Sequence, residues 1–157
     1  MPYNDIPGQA TGIAMDCGKY VSKTLEKILE VYNKEYPNHF NTDLMDGRLV
    51  PWARQGVFLM NVALTVEKKA PGSHIRLWKP FTQFVLNRLM YDMSPKVFVA
   101  LGNLAQETIG EVSPPHHLLK YEHPVAASYD NREWRAVGIF HEINKILKFH
   151  GIPEICW

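Results

Sequence analysis

The chain has 157 residues, of which 46% are hydrophobic and 21% are charged, as in an ordinary globular domain. Because 17 lysines and arginines balance 16 acidic residues, a global basic field for nucleic acid is excluded, although a local basic groove is not. We expect one domain over residues 1–157 and no membrane-spanning segment. The two cysteines have neither metal nor disulfide spacing, which favours a cytoplasmic protein.

The first half of the chain predicts a loop, a helix and a buried strand. Residues 2–12 are rich in turn formers, and Ser22 can cap a helix that ends near Pro37. The continuous apolar run at residues 57–61 predicts a strand that is buried on both faces. Asn61 ends this strand, where open α/β sheets bind ligands. Its amide can either read the edge of a flat heterocycle or cap a turn.

The second half predicts two strands that alternate with helices. A helix over residues 80–90 should bury Phe81 and Phe84, and a final helix should run from about 132 to 149. Short apolar strands are predicted at 97–101 and 117–122, the first of them followed by a helix that reaches Ile109. This alternation indicates an α/β layer fold with a parallel sheet.

Histidines are frequent after residue 115, but their spacing argues against a metal site. His116 and His117 are neighbours on a predicted strand, so their side chains point to opposite faces and cannot both bind a metal with His123. His141 and His150, on the last helix, are expected to be solvated or to cap the helix. We expect neither a metal nor a cofactor.

Several motifs then appear in the order that one known family has them. These motifs are Pro2-Tyr3, Pro7-Gly8-Gln9-Ala10, Trp52-Ala53-Arg54-Gln55-Gly56-Val57, Asn61, Leu64-Thr65-Val66, Ser73-His74, Phe81-Thr82, Gly102, Ala105-Gln106, His116-His117, His123-Pro124 and Trp157. Through them, from its first residues to its last, the chain resembles the family 1 uracil-DNA glycosylases.

The resemblance implies a fold whose sheet is incomplete. It implies a three-layer α/β/α uracil-DNA glycosylase-like fold with a short, mainly parallel sheet that lacks the family's first strand. An incomplete sheet exposes strand edges that pair readily with other chains. We therefore expect a second copy of this chain, or a protein partner, to cover the exposed edge.

The resemblance also implies a pocket that receives a base flipped out of single- or double-stranded DNA. In that pocket Asn61 would contact the uracil edge, Tyr3 would exclude thymine, and Asn4 and Met15 would line the wall. His123 would be the catalytic residue, stabilising negative charge on uracil O2 as the glycosidic bond breaks. The residues implied in DNA binding are Ser73, Gly102, Asn103, Ala127 and Ser128, with Lys19 and Lys23 offering charge.

The departures from the family pattern concern the chemistry. Met1 stands where the family has an aspartate that positions water, and methionine can neither orient water nor stabilise a cationic sugar. Met15 replaces a stacking aromatic residue. Ala127 lies in the loop that carries an intercalating leucine, and it is too small to fill the gap left by a flipped base.

Three functional hypotheses follow. The first is a DNA-binding protein of this fold with weak or lost hydrolysis, acting in DNA repair, replication or genome protection. The second is an active glycosylase for uracil or a modified uracil that uses Asn61 and His123. The third is a protein-interaction module that has borrowed the fold.

Overall fold

The computed structural model of the chain describes residues 9–17, 20–39, 44 and 46–157. Within them lie six helices and two strands, and between residues 75 and 129 helices alternate with strands, as an α/β fold requires. Their bounds are α1 (Lys23–Glu35), α2 (Val50–Arg54), α3 (Ile75–Tyr91), β1 (Val97–Leu101), α4 (Asn103–Ile109), β2 (His117–Tyr121), α5 (Pro124–Tyr129) and α6 (Ile139–Phe149).

The two strands form a parallel sheet in which Val97 pairs with His117 and Leu101 with Tyr121. Backbone bonds close the pairing at both ends. The N–H of His117 donates to the carbonyl of Lys96, and the N–H of Gly102 donates to the carbonyl of Tyr121, each over 2.9 Å. Because the strands are parallel, their carboxyl ends meet at one edge, and the two loops that follow them lie side by side. Both strands were predicted within one residue of these bounds.

The strand predicted at residues 57–61 is wrong, since these residues belong to no strand of the structure that is described. An apolar run becomes a strand only where a neighbouring strand satisfies its backbone groups. Here the sheet of the described residues consists of β1 and β2 alone. Instead, a hydrogen bond holds the chain to α3 just after this segment. The Thr82 hydroxyl donates to the Val62 carbonyl at 2.8 Å.

Two predicted helices differ from the observed ones. Helix α3 begins at Ile75 and contains Pro80 in its interior, and Phe81 and Phe84 are exposed although they were predicted to be buried. The last helix begins at Ile139 and not near Arg132, because Gly138 adopts a left-handed conformation (φ +98°) that interrupts a helical backbone. Helix α1 agrees with the prediction, with the Ser22 hydroxyl accepting from the Leu25 N–H at 3.2 Å.

The core lies between α1, α2 and α6. Four aromatic side chains meet edge to face or tilted: Trp52 lies 5.7 Å from Phe140 and 5.4 Å from Trp157, and Tyr32 lies 5.9 Å from Phe140, centroid to centroid. These are the separations that aromatic pairs prefer in protein cores. The Tyr32 hydroxyl also donates to the Trp157 carbonyl at 3.2 Å. This core holds the helical layer beside the sheet and so fixes the loops at the strand ends.

None of the helices in the described part of the chain combines the length and the apolar character that crossing a membrane would need.

Candidate functional site

The loops at the carboxyl ends of β1 and β2 bring two of the predicted site residues into direct contact. Gly102 follows β1 with φ +87° and ψ 161°, a region that only glycine occupies readily. His123 follows β2 and begins α5 as its N-cap. A Cβ atom placed on Gly102 would lie 2.9 Å from the Cβ of His123 and 3.4 Å from its Cδ2. His123 therefore occupies the space that a side chain at position 102 would fill.

The hydrogen bonds of His123 define its tautomer. Its Nδ1 accepts the Val125 N–H at 3.2 Å, so Nδ1 carries a lone pair and the proton of the neutral ring resides on Nε2. Half-burial lowers the pKa of His123 below its ordinary value, because desolvation disfavours the imidazolium. At neutral pH the ring is therefore an uncharged donor at Nε2.

Glu122 fixes the backbone immediately before His123. Its two carboxylate oxygens accept from the Arg132 guanidinium in a bidentate pair, both at 2.6 Å, and its carbonyl accepts from the indole of Trp134 at 3.0 Å. This pairing holds the pKa of Glu122 below its ordinary value. A planar, two-point contact restricts rotation as well as distance, so the β2–α5 loop that carries His123 is held from both sides.

Asn61 lies half-buried in the segment that leads from α2 to α3, next to the anchored Val62 and the buried Ala63. The prediction that Asn61 ends a strand is wrong, and its contact with a base stays a prediction. The segment that follows is ordered by a chain of side chains. The indole of Trp78 donates to the Thr65 hydroxyl at 2.7 Å, which contacts His74 Nδ1 at 2.9 Å.

Met15 belongs to a tightly turned loop before α1. It has a left-handed backbone (φ +66°), which is uncommon for a residue with a long side chain, and it packs against the core. The loop is bound at both ends. The buried amide of Gln9 donates to the carbonyl of Tyr20 and accepts its N–H, and the carboxylate of Asp16 accepts the Leu49 N–H. The structure shows Met15 on a left-handed turn beside the core, and its place in a pocket wall stays a prediction.

The described residues that were predicted to bind DNA through exposed groups lie in three places. Ser128 and Lys23 come together, because the Ser128 hydroxyl donates to the Lys23 carbonyl at 3.4 Å where α5 packs on α1. Asn103 is exposed at the start of α4, close in sequence to Gly102. Ser73 is exposed, and its hydroxyl accepts the Glu67 N–H at 2.9 Å, which closes the loop before α3.

Ala127 requires a correction. Its side chain is 0% exposed and is part of the hydrophobic core, because α5 presents that face to α1. A residue buried in this way does not contact DNA through its side chain. The predicted residues Met1, Tyr3, Asn4 and Lys19 lie outside the described residues.

Sequence reasoning missed two polar contacts that join distant parts of the chain. The imidazoles of His117 and His150 meet at Nε2 with a separation of 2.7 Å, and the Glu35 carboxylate accepts from the ring of His141 at 2.6 Å. His116 faces elsewhere and contacts the Met90 carbonyl at 3.0 Å, as expected for strand neighbours. No group of three possible metal ligands occurs in the ranges that the structure describes. The only sequence signal for either pair was the presence of a histidine near a helix end.

Comparison with known proteins places this geometry in a family. A relative in Dictyostelium discoideum, named uracil-DNA glycosylase, is 38% identical over 161 residues, which cover 99% of this chain and 45% of the relative. The uracil-DNA glycosylase of bovine herpesvirus 1.1 is 36% identical, with 99% of this chain and 76% of the relative covered. This chain thus spans between about half and three quarters of the length of these two relatives.

The fold comparison agrees. The crystal structure of mimivirus uracil-DNA glycosylase superposes with a TM-score of 0.81 at 25% identity, over 95% of this chain and 60% of that one. The family model described as the uracil DNA glycosylase superfamily matches residues 5–148. With the Gly102–His123 contact at the ends of a parallel sheet, these matches show that the chain belongs to the uracil-DNA glycosylase superfamily.

Proposed function

We propose that this chain binds DNA at the carboxyl edge of its β1–β2 sheet and accepts a flipped base there, with weak or lost hydrolysis of the glycosidic bond. The single observation that carries the proposal is the seating of His123 against Gly102 at the carboxyl ends of the two paired strands. Its setting is DNA repair, replication or genome protection inside the cell.

In this proposal the two described site residues have separate roles. When a glycosidic bond to uracil breaks, its electron pair moves into the base and negative charge develops on O2. A neutral Nε2–H of His123 can donate to that oxygen, which is how an oxyanion donor lowers a barrier. The amide of Asn61 offers two donors and one acceptor, which suits the O4 and N3 edge of uracil.

Weak hydrolysis is inferred from the residues at the remaining positions of the family pattern. Met1 occupies the position of the water-positioning carboxylate, and a thioether cannot accept a proton from water. Ala127 occupies the loop of the intercalating leucine, and its side chain lies in the core. The donor for the leaving base is thus retained, whereas the groups for water activation and strand insertion are replaced.

Activity is the second candidate, and the tautomer of His123 favours it. A site that keeps the neutral Nε2–H donor can still stabilise the leaving base without a carboxylate, at a reduced rate. The two candidates differ in whether uracil is released, not in whether DNA is bound.

The test measures binding and excision on the same oligonucleotides. Fluorescein-labelled single- and double-stranded DNA, each with one uracil, are titrated with protein at several salt concentrations. Excision is followed by alkaline cleavage at the abasic site. We expect binding that weakens linearly in log–log form with salt and little uracil release. A strand with thymine in place of uracil serves as the substrate control.

Variants decide between the candidates. Robust excision that is abolished by Asn61→Ala or His123→Ala, and retained by Asn33→Ala on the exposed side of α1, would replace the first candidate with the second. No DNA binding at low salt would refute both.

A further inference from the structure

The long helix α3 is apolar on two neighbouring sides, although only one of them faces its own domain. On the inner side Thr82 is buried and hydrogen-bonded to Val62, and Trp78, Val85 and Leu89 are half-buried. At 100° per residue these four positions fall within one 60° arc of the helix. This side accounts for the packing of α3 on the rest of the molecule.

A second side, about a third of a turn away around the helix, presents a continuous exposed stripe. Leu77, Phe81, Phe84 and Tyr91 are 68%, 44%, 67% and 78% exposed, respectively. Their spacings of four, three and seven residues place them on one line along the helix, with Arg88 at the position between Phe84 and Tyr91. Single exposed apolar residues are ordinary on a protein surface, but a line of them along a whole helix marks an interaction site. We refer to these five residues as the α3 stripe.

The charge around the α3 stripe has one sign. Helix α3 carries Arg76, Lys79 and Arg88 and no aspartate or glutamate. All three cations are exposed, and none forms an ion pair with another described residue. Arg88 lies over the ring of Tyr91, with its Cζ 5.7 Å from the ring centroid. The stripe is therefore apolar with one cation, Arg88, inside it and a second, Arg76, beside its Leu77 end, whereas Lys79 lies on the far side of the helix.

From this complementarity we propose that the α3 stripe binds an acidic amphipathic helix of a partner protein. Apolar residues of the partner helix would pack between Leu77, Phe81 and Phe84, and its carboxylates would pair with Arg76 and Arg88. A second copy of this chain fits less well, because two stripes in contact would bring like charges together. This proposal does not depend on glycosylase activity.

The test uses two synthetic peptides with the same leucines at heptad positions. One carries glutamates beside the leucines and the other carries lysines, and each is labelled for fluorescence anisotropy. We expect the glutamate peptide to bind in a salt-sensitive manner and the lysine peptide to bind at least about ten-fold more weakly.

Variants locate the contact on the helix. Leu77→Ser combined with Phe84→Ser should weaken binding of the glutamate peptide about ten-fold or more, whereas Phe149→Ser, at an equally exposed position on α6, should not. Arg88→Glu should weaken binding of the glutamate peptide and strengthen binding of the lysine peptide. Because the altered side chains are exposed, these variants are expected to fold, which circular dichroism verifies.

Three outcomes would overturn the proposal. The first is that neither peptide binds, or that both bind equally. The second is a dimer in sedimentation velocity that Phe84→Ser dissociates, which would make a second copy the occupant. The third is binding to vesicles of phosphatidylcholine and phosphatidylserine without binding to the glutamate peptide, which would make a membrane the occupant.

Discussion

The backbone of Gly102 and the imidazole of His123 occupy adjoining space, such that a single methyl group on the glycine would lie 2.9 Å from the histidine Cβ. Each residue follows a strand of the parallel pair, so the contact depends on the register of β1 with β2 and not on sequence proximity. The position of the candidate catalytic group is thus determined by a residue that has no side chain.

Gly102→Ala tests this contact. The substitution combines a backbone region that only glycine occupies readily with a contact shorter than van der Waals distance, and we expect a loss of about 1–3 kcal/mol in the free energy of unfolding. Gly110→Ala is the control, because Gly110 also has a positive φ with an extended ψ (φ +66°, ψ −132°) that disfavours other residues, but nothing lies within 4 Å of its added Cβ. Denaturant titration measures both. Equal losses would mean that backbone strain, and not contact with His123, accounts for the effect.

His123 should titrate below its ordinary pKa, because burial disfavours the imidazolium. Since the folded-state pKa is lower than the unfolded one, the unfolded chain takes up the proton first as pH falls. The contribution of His123 to the free energy of unfolding is therefore fully present above about pH 6.5, and it declines as pH drops toward the folded-state pKa. NMR of the ring nitrogens should show Nε2 protonated at pH 7.5. A ring protonated at Nδ1 would contradict the assigned hydrogen bond with Val125.

Glu35→Ala should destabilise the protein by about 2–3 kcal/mol. The Glu35 carboxylate is 4% exposed and accepts from the Gly138 N–H at 2.8 Å, the His141 N–H at 3.0 Å and the His141 ring. Its removal would leave the first turn of α6 without these acceptors. Glu30→Ala, which removes only an exposed pair with Lys27, should change stability by less than about 0.5 kcal/mol. Similar losses in both variants, measured by thermal unfolding, would show that the capping contact is unimportant.

Arg132→Lys should lower stability at neutral pH while keeping the charge, because an ammonium cannot reproduce the two-point contact with Glu122. The low pKa of Glu122 means that this stabilisation is present above the ordinary glutamate pKa and is lost as pH falls through the folded-state value. The melting temperatures of variant and wild type should therefore converge on acidification. Arg135→Lys serves as the control, since the contact of Arg135 with Glu122 is made by its backbone N–H. A difference that persists unchanged at low pH would contradict the role of the ion pair.

Local signals account for the parts of the fold that were predicted. Helix α1 has its capping serine and a proline near its end, and β1 and β2 are short apolar runs bounded by turn residues, so each carries its own boundaries in sequence. Residues 57–61 have the same apolar pattern. A strand also needs a neighbouring strand, however, and the local sequence does not show whether one is present. The error at Phe81 and Phe84 has a different origin. Because α3 is apolar on two sides, helical spacing alone could not decide which side faces the core.

The candidate site also has a part that the sequence predicts and a part that it does not. Asn61 was predicted from the end of a strand that the structure does not have, whereas Gly102 and His123 were predicted from a family pattern that preserves residue order, and the structure joins these two residues. The contacts made by His117 and by Glu35 join residues that are 33 and 106 positions apart, and no local period encodes such a distance. The burial of Ala127 likewise follows from the packing of α5 on α1 and could not be inferred from the loop sequence.

The Glu35–His141 contact has a consequence for the order of folding. The acceptor for the first turn of α6 is made early in synthesis, whereas its donors emerge more than a hundred residues later, and the Tyr32–Trp157 bond spans 125 positions. Closing loops of this length costs entropy before any contact stabilises the chain. During synthesis on the ribosome, α1 would therefore form before α6 exists, and the apolar side of Tyr32 would be exposed. The core would close only after α6 has been released, in one late step.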